Sequence, residues 1–283
     1  MLRTLIWGTG NTGRRIKREI GSEKNIIAFL DNDSCRWGQE IEGVKIIGGI
    51  SALTNIDYDE IIIASLPGIE TIKQELVNVE VPIHKINTGY VETSVNARIN
   101  FLRDFSAMNQ NNIEEYAVAE GGVYQGDFSK EINKYFPKNK LYLFDTFTGF
   151  DEKDVKLEEK NGWSEQGKQH LGNTNENMVL EKLPYQQNAV ICKGYFPETT
   201  KGLENEKFFF VNLDFDLYQP TLEGLRFFSA RMVRGGVILV HDYFTFSGYR
   251  GIAEAVKKFE DENEMKLFKI PIGDSLSIGI VGF

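Results

Sequence analysis

Twice along the chain an apolar, strand-like run ends in a glycine-rich turn and continues into a helical pattern, first at Trp7–Gly13 (WGTGNTG) and again at Glu120–Gly126 (EGGVYQG). Such a turn lets the backbone leave a strand and enter a helix with its N–H groups exposed, the building step of a parallel sheet covered by helices. Two such openings, each followed by its own alternation of strand and helix, predict an α/β chain of two doubly wound domains.

In the first alternation, strands are expected at 2–7, 26–31, 60–65 and 83–86, with helices at 14–20 and 69–78. Val95, Ile99, Leu102 and Phe105 then recur at helical spacing, which predicts a connecting helix at 93–112 between a first domain, 1–92, and a second, 113–283. The second alternation has strands near 116–120, 140–145, 188–193, 207–214, 236–241, 266–271 and 276–282. Its helices fit 128–136, 221–233 (Leu222, Leu225, Phe228 and Met232 on one stripe) and 250–261. The link Ile272–Ser275 is too short for a helical crossover, so the last two strands should pair antiparallel. Seven strands ending in an antiparallel hairpin are the layout of a class I methyltransferase. The polar stretch 151–185 contains the candidate lid or substrate loop.

A net charge of −9 disfavours general attraction to nucleic acid and points to a small-molecule partner. Cys35 and Cys192 are too far apart in sequence to suggest a disulfide framework and fit a reducing cytoplasm. No apolar run resembles a membrane span, and the first residues read as a strand rather than a signal peptide, so a cytoplasmic protein is expected; a homodimer is left open.

Gly8, Gly10 and Gly13 have the G-x-G-x-x-G spacing of a dinucleotide turn, with Asn11 inside it and Asp31 ending the next strand where a ribose carboxylate belongs. This favours a nucleotide ligand, NAD among them, although the same glycines also serve a plain strand-to-helix turn. The segment FLDNDSCRWGQEIEGVKIIGG, Phe29–Gly49, resembles the small Rossmann-type domains attached to glycan-biosynthesis enzymes, which implies a nucleotide or nucleotide-sugar ligand, or a scaffold role.

In the second turn Glu120 ends a strand, Asp127 is placed to cap the following helix, and Asp145 ends the next strand, an arrangement suited to a ribose-containing ligand such as S-adenosylmethionine. From Glu115 onward the chain resembles the macrocin O-methyltransferase (TylF-type) family of S-adenosylmethionine-dependent sugar O-methyltransferases. The resemblance is carried by EGGVYQG (120–126), DTFTGF (145–150), KGYFPET (193–199), LDFDLYQPT (213–221), GGVILVHDY (235–243) and GYRGIAEAV (248–256). It implies that Glu120, Gly122 and Gly126 line the methionine end of the cofactor and that Asp145 holds its ribose. Gly121, Tyr124, Thr146, Lys193 and Gly194 are the further cofactor residues within the same motifs.

Asp214 and Asp216, two apart, would project together if their strand continues through them. His241 and Asp242 end the following strand, so the four side chains can converge at the C-terminal edge of the sheet. The resembled family carries a magnesium ion there. Macrolide-sugar members have an Asp-Asp pair where this chain has His241–Asp242, and imidazole suits manganese, iron or zinc better than magnesium. Two mechanisms therefore stand: Asp214, His241 and Asp242 hold Mg2+ or another divalent metal, or His241 or Asp214 acts as a metal-free base. Asp216 is either a further ligand or a cap for the helix expected near Thr221.

Tyr218, Tyr243 and Tyr249 are candidates to stack on a sugar, and Arg250 to meet an anionic substrate group or Asp242. His84 and His170 lack a supporting constellation. The expected function is methylation of a sugar hydroxyl in a glycan precursor or glycosylated metabolite. The rivals are an NAD(P)-dependent oxidoreductase using the first glycine turn and a non-catalytic nucleotide-binding module.

Overall fold

The computed structural model describes residues 1–65, 68–109, 113–245 and 248–282, and the chain divides into two compact units, Met1–Asn96 and Ala97–Phe283. In the first unit, β1 (Arg3–Trp7), α1 (Asn11–Ile20) and β2 (Asn25–Leu30) precede a hairpin of β3 (Glu40–Ile41) and β4 (Val44–Gly48). Then come β5 (Glu60–Ile63), α2 (Ile69–Asn78), β6 (Ile86–Asn87) and the long helix α3 (Gly89–Met108), within which the division between units falls. The strand order is β3-β4-β2-β1-β5-β6, parallel except for β3 against β4. Both faces are covered: Leu5 and Trp7 pack with Leu30 and Ile63 on one, and Ile6 packs with Ile16, Phe29 and Ile62 on the other. The β3–β4 hairpin was not expected from the sequence. Its turn, Glu42–Gly43, has φ of 49° and 83°, the left-handed pair that a tight hairpin requires.

The second unit contains β7 (Ala117–Gly121), α4 (Asp127–Tyr135), β8 (Leu141–Asp145), α5 (Glu152–Asn161), α6 (Glu176–Lys182) and β9 (Ala189–Lys193). These are followed by β10 (Phe208–Leu213), α7 (Tyr218–Ser229), β11 (Met232–Val240), α8 (Gly251–Glu262), β12 (Phe268–Pro271) and β13 (Ile278–Val281). The order β12-β13-β11-β10-β7-β8-β9 is parallel but for β13, which pairs antiparallel with β12, as expected, and with β11. The C-terminal ends of β7, β8, β10 and β11 therefore meet along one edge.

Three expectations change. The helix expected at 221–233 is Tyr218–Ser229, because strand pairing captures its last residues: Phe208 N–H donates to Arg231 O, and Met232 pairs with Phe208. The polar stretch 151–185 folds into α5 and α6, each started by a side-chain cap, Asp151 accepting from Lys153 N and Asn175 from Met178 N. The connecting helix begins at Gly89, and residues 110–112 of its expected span lie outside the described residues. Among the described residues no helix is long and apolar enough to cross a membrane.

Candidate active site

The glycine turn after β7 is held by the strand beside it. A Cβ on Gly122 would lie 1.9 Å from Asp214 O, and its φ of +80° is itself unfavourable for other residues, so β7 and β10 can diverge here only around glycine. Asp145, at the end of β8, closes the turn: its Oδ2 accepts from Val123 N (2.8 Å) and Tyr124 N (2.9 Å), and its Oδ1 from Phe147 N (2.7 Å). A carboxylate has about four lone-pair directions, so one remains for a ligand hydroxyl. Gly194 N donates to Asp145 O, Thr146 Oγ1 to Gly149 O, and Lys193 is taken by an ion pair with Glu176 at 2.6 Å.

The acid cluster lies at the ends of β10 and β11. Asp214 Oδ1 is 2.9 Å from His241 Nδ1 and Asp242 Oδ2 is 3.1 Å from the same atom, and the three side chains bring their donor atoms within 4.8 Å of one another. β10 stops at Leu213 and Asp216 has φ +64°, so strand alternation does not bring the acids together as the sequence suggested; a left-handed turn does. Asp216 is 9% exposed, and burial together with the charges of Asp214 and Asp242 holds its carboxyl well above the usual carboxylate range. It is not a helix cap, since α7 starts from Leu217 without a side-chain cap. Burial disfavours a charged His241, but Asp214 and Asp242 outweigh it and raise the imidazole to about 10. Burial likewise disfavours charged Asp214, yet His241 and Arg98 hold it below the usual carboxylate range.

Arg98 of α3 was not anticipated. Its Nη2 donates to Asp214 Oδ2 and Asn212 Oδ1, both at 2.8 Å, and its guanidinium lies 3.9 Å from the centre of the Phe128 ring. Arg98 falls three residues after Val95 and four before Leu102, on the apolar stripe of α3, and a cation in that position is the signal that could have found it. Asn212 Nδ2 donates to Glu120 Oε1 at 3.0 Å and Ser129 Oγ donates to Oε2. Glu120 was expected to line the cofactor. It is instead 2% exposed, with both oxygens engaged, and burial pushes its carboxyl up to about 8.

The segment between α5 and α6 crosses the ends of several strands. Tyr124 Oη donates to Asn173 Oδ1 (2.9 Å), Phe150 N to Lys168 O (2.9 Å) and Arg250 N to Trp163 O (3.1 Å). His170, packed against Phe150 at 5.4 Å between ring centres, places Nε2 3.0 Å from the Tyr249 hydroxyl. Burial and then Asp216, Asp242 and Asp214 push that phenol up, so it stands in the field of the acid cluster and remains protonated. Thr146, Thr148, Phe150, Lys153, Lys156 and Lys168 are among the residues lining a cavity of about 540 Å3 beside this segment.

A family model described as macrocin-O-methyltransferase (TylF) matches residues 93–273, well over half of the chain. The chain belongs to the macrocin-O-methyltransferase family. It is an S-adenosylmethionine-dependent O-methyltransferase. A second model, described as C2185-like, N-terminal, matches residues 1–87. Among solved structures, the O-methyltransferase NovP is 17% identical over 65% of this chain and 79% of its own, with a TM-score of 0.52. CalS11, a calicheamicin methyltransferase, is 18% identical over 77% of this chain and 93% of its own, with a TM-score of 0.50. These likenesses show the α/β class I methyltransferase fold. No curated protein matches the chain.

Within this macrocin-O-methyltransferase fold, the turn that contains Gly121, Gly122, Tyr124 and Gly126 meets Asp145 through Val123 N and Tyr124 N, and Asp214, His241 and Asp242 meet at the same sheet edge. Tyr218 packs on Trp163 and Tyr243 on Phe244, while Arg250 is exposed and makes no ion pair with Asp242 among the described residues. In the first unit, Gly8 N donates to Leu30 O, and a Cβ on Gly13 would lie 2.0 Å from Gly8 O. Asp31 accepts from Thr9 N (3.2 Å) and from the Thr9 hydroxyl, which also receives Arg36 Nη1 at 2.7 Å.

Proposed function

We propose that this methyltransferase transfers the methyl group of S-adenosylmethionine to a hydroxyl of a sugar, in a glycan precursor or a glycosylated metabolite. The observation that carries the reading is the placement, on one sheet edge, of a glycine turn tied to Asp145 next to the Asp214–His241–Asp242 cluster. The first suits the adenosine and methionine of the cofactor, with Gly122, Tyr124, Gly126, Asp145, Thr146 and Gly194 around it. The second suits a polyhydroxylated acceptor.

The cluster fits a divalent metal better than a metal-free base. Asp214 and Asp242 raise the imidazole of His241 to about 10, so a metal here would bind with release of that proton. His241 Nδ1 is buried and makes no aligned hydrogen bond despite its two close carboxylates, which leaves a donor set converging on a common point. Asp214, His241 and Asp242 would hold the ion. A dication there supplies Lewis acidity to sugar hydroxyls, lowering the pKa of the one to be methylated. Arg98 keeps Asp214 ionised and oriented, and Tyr249, braced by His170, faces the acceptor. Positioning of hydroxyl and sulfonium in line provides much of the rate.

For the first unit we assign a nucleotide or nucleotide-sugar ligand at Gly8, Gly10, Asn11, Gly13 and Asp31. Helix α1 begins after Gly10 with no side-chain cap, and Gly10 has open space where a Cβ would stand, both of which support close approach of a phosphate. The two free cysteines fit a cytoplasmic setting.

Calorimetric titration of S-adenosylhomocysteine into wild type and Asp145→Ala tests the cofactor half: micromolar binding lost in the variant supports it, and no binding to wild type removes it. Labelled methyl transfer to a panel of nucleotide-sugars and methyl glycosides tests the sugar half. Cofactor binding without a labelled sugar would confine the reading to O-methylation of another acceptor.

A further inference from the structure

The metal-binding triad differs from an all-oxygen site in a way that bears on which ion it takes. Asp214 contributes one oxygen only, because its Oδ2 is committed to Arg98 at 2.8 Å. Its Oδ1 stands 2.9 Å from His241 Nδ1, and Asp242 Oδ2 stands 3.1 Å from that nitrogen. Adjacent corners of an octahedron with metal–donor bonds of about 2.1 Å are about 3.0 Å apart, so the spacing is that of a six-coordinate first-row dication or Mg2+, tighter than the larger Ca2+ would set. Size therefore leaves the choice to the chemistry of the donors. One of the three is an imidazole nitrogen, buried and bonded to neither oxygen.

We propose that the Asp214–His241–Asp242 triad selects a first-row transition-metal dication, of the manganese, iron or cobalt kind, over magnesium. This rests on reading the triad as a metal site. Mg2+ is a hard ion that prefers oxygen and surrenders water reluctantly, so a nitrogen in place of a carboxylate removes a charged oxygen ligand and returns little. Mn2+, Fe2+ and Co2+ accept imidazole readily, in increasing order of affinity. With three positions taken by protein, the remaining ones are free for water and for two neighbouring hydroxyls of an acceptor. The selectivity thus resides in the single residue His241, which follows β11 and whose N–H donates to Leu213 O at the end of β10.

The experiment uses the full chain stripped with EDTA and dialysed. Mn2+ binding is followed through the loss of its free-ion electron paramagnetic resonance signal, and Mg2+ is added in competition. The expected result is an Mn2+ Kd at least about 10-fold below that of Mg2+, with His241→Asp narrowing the ratio about 10-fold or more by weakening Mn2+ and strengthening Mg2+. Displacement of Mn2+ by equimolar Mg2+, or an unchanged ratio in His241→Asp, overturns the proposal. His241→Asn provides a second variant, expected to weaken Mn2+ without the gain for Mg2+, and a thermal melt of each variant separates a lost site from a lost fold. S-adenosylhomocysteine titrated into the same samples keeps the two readings apart. Cofactor binding with no binding of either metal overturns the metal proposal alone, whereas preferential Mn2+ binding without cofactor binding supports it and removes the cofactor site assigned at Asp145.

Discussion

One nitrogen of Arg98, Nη2, donates both to Asp214 and to Asn212, each at 2.8 Å, so a single guanidinium on α3 orients the first acid of the cluster and, through Asn212, the buried Glu120. Removing it leaves a half-buried carboxylate with His241 as its remaining partner. Arg98→Met should cost on the order of 2–4 kcal/mol, lower the thermal midpoint by several degrees and reduce methyl transfer at least about 10-fold, with Arg98→Lys intermediate. Denaturant melts and initial rates on the same samples check it; an unchanged midpoint would refute the pairing.

Glu120 gives a pH dependence of stability with a definite sign. Its carboxyl is raised in the folded protein from 4.5 to about 8, so the folded state holds the proton more tightly than the unfolded one. Its contribution is full below about 4.5 and is lost as pH rises through about 8, a loss on the order of a few kcal/mol. Glu120→Gln keeps the shape and a hydrogen-bonding end without the titration. The difference in unfolding free energy between variant and wild type should therefore move in favour of the variant from pH 5 to pH 8.5.

Asp145 joins two turns through three backbone N–H bonds, and its role is separable from folding. Asp145→Asn retains some of these bonds but loses the charge, and should weaken S-adenosylhomocysteine about 10- to 100-fold while moving the melting temperature less than Asp145→Ala. Equal affinity in wild type and Asp145→Asn would remove the ribose role.

Tyr249→Phe deletes the hydroxyl that meets His170 Nε2 and leaves the ring in place. The acceptor side should suffer alone: kcat/KM for an accepted sugar falls about 10-fold, and affinity for S-adenosylhomocysteine stays within about twofold. His170→Ala should produce much of the same loss, and the double variant little more than either single one. Additive losses would mean the two residues act independently.

The arrangement of strands and helices was legible because it rests on local pattern. The runs at Phe208–Val211 and Leu141–Phe144 are apolar throughout, as strands buried on both faces must be, and the two glycine turns announce where each sheet begins. Asp145, Asp214, His241 and Asp242 could be named because they stand at strand ends, and a parallel sheet brings such ends to one edge. The errors fell where local pattern competed with pairing. Met232 has the spacing of a helix residue but pairs with Phe208 in a strand, and α5 and α6 arise in polar sequence whose caps, Asp151 and Asn175, are short-range signals easily lost among other Asn and Asp residues.

By itself the sequence determined two α/β units, the family, and the residue types available at the edge of the second sheet, since these follow from periodicity, turn chemistry and motif order. Only the tertiary structure decided which of those residues touch. Arg98 reaches Asp214 and His170 reaches Tyr249 across 116 and 79 residues of sequence, and Asp216 enters the cluster through a left-handed turn rather than strand alternation. It also decided their charge states. Protonation of Glu120, Asp216 and His241 depends on burial and on the distance to neighbouring charges, quantities that exist only once distant segments have packed.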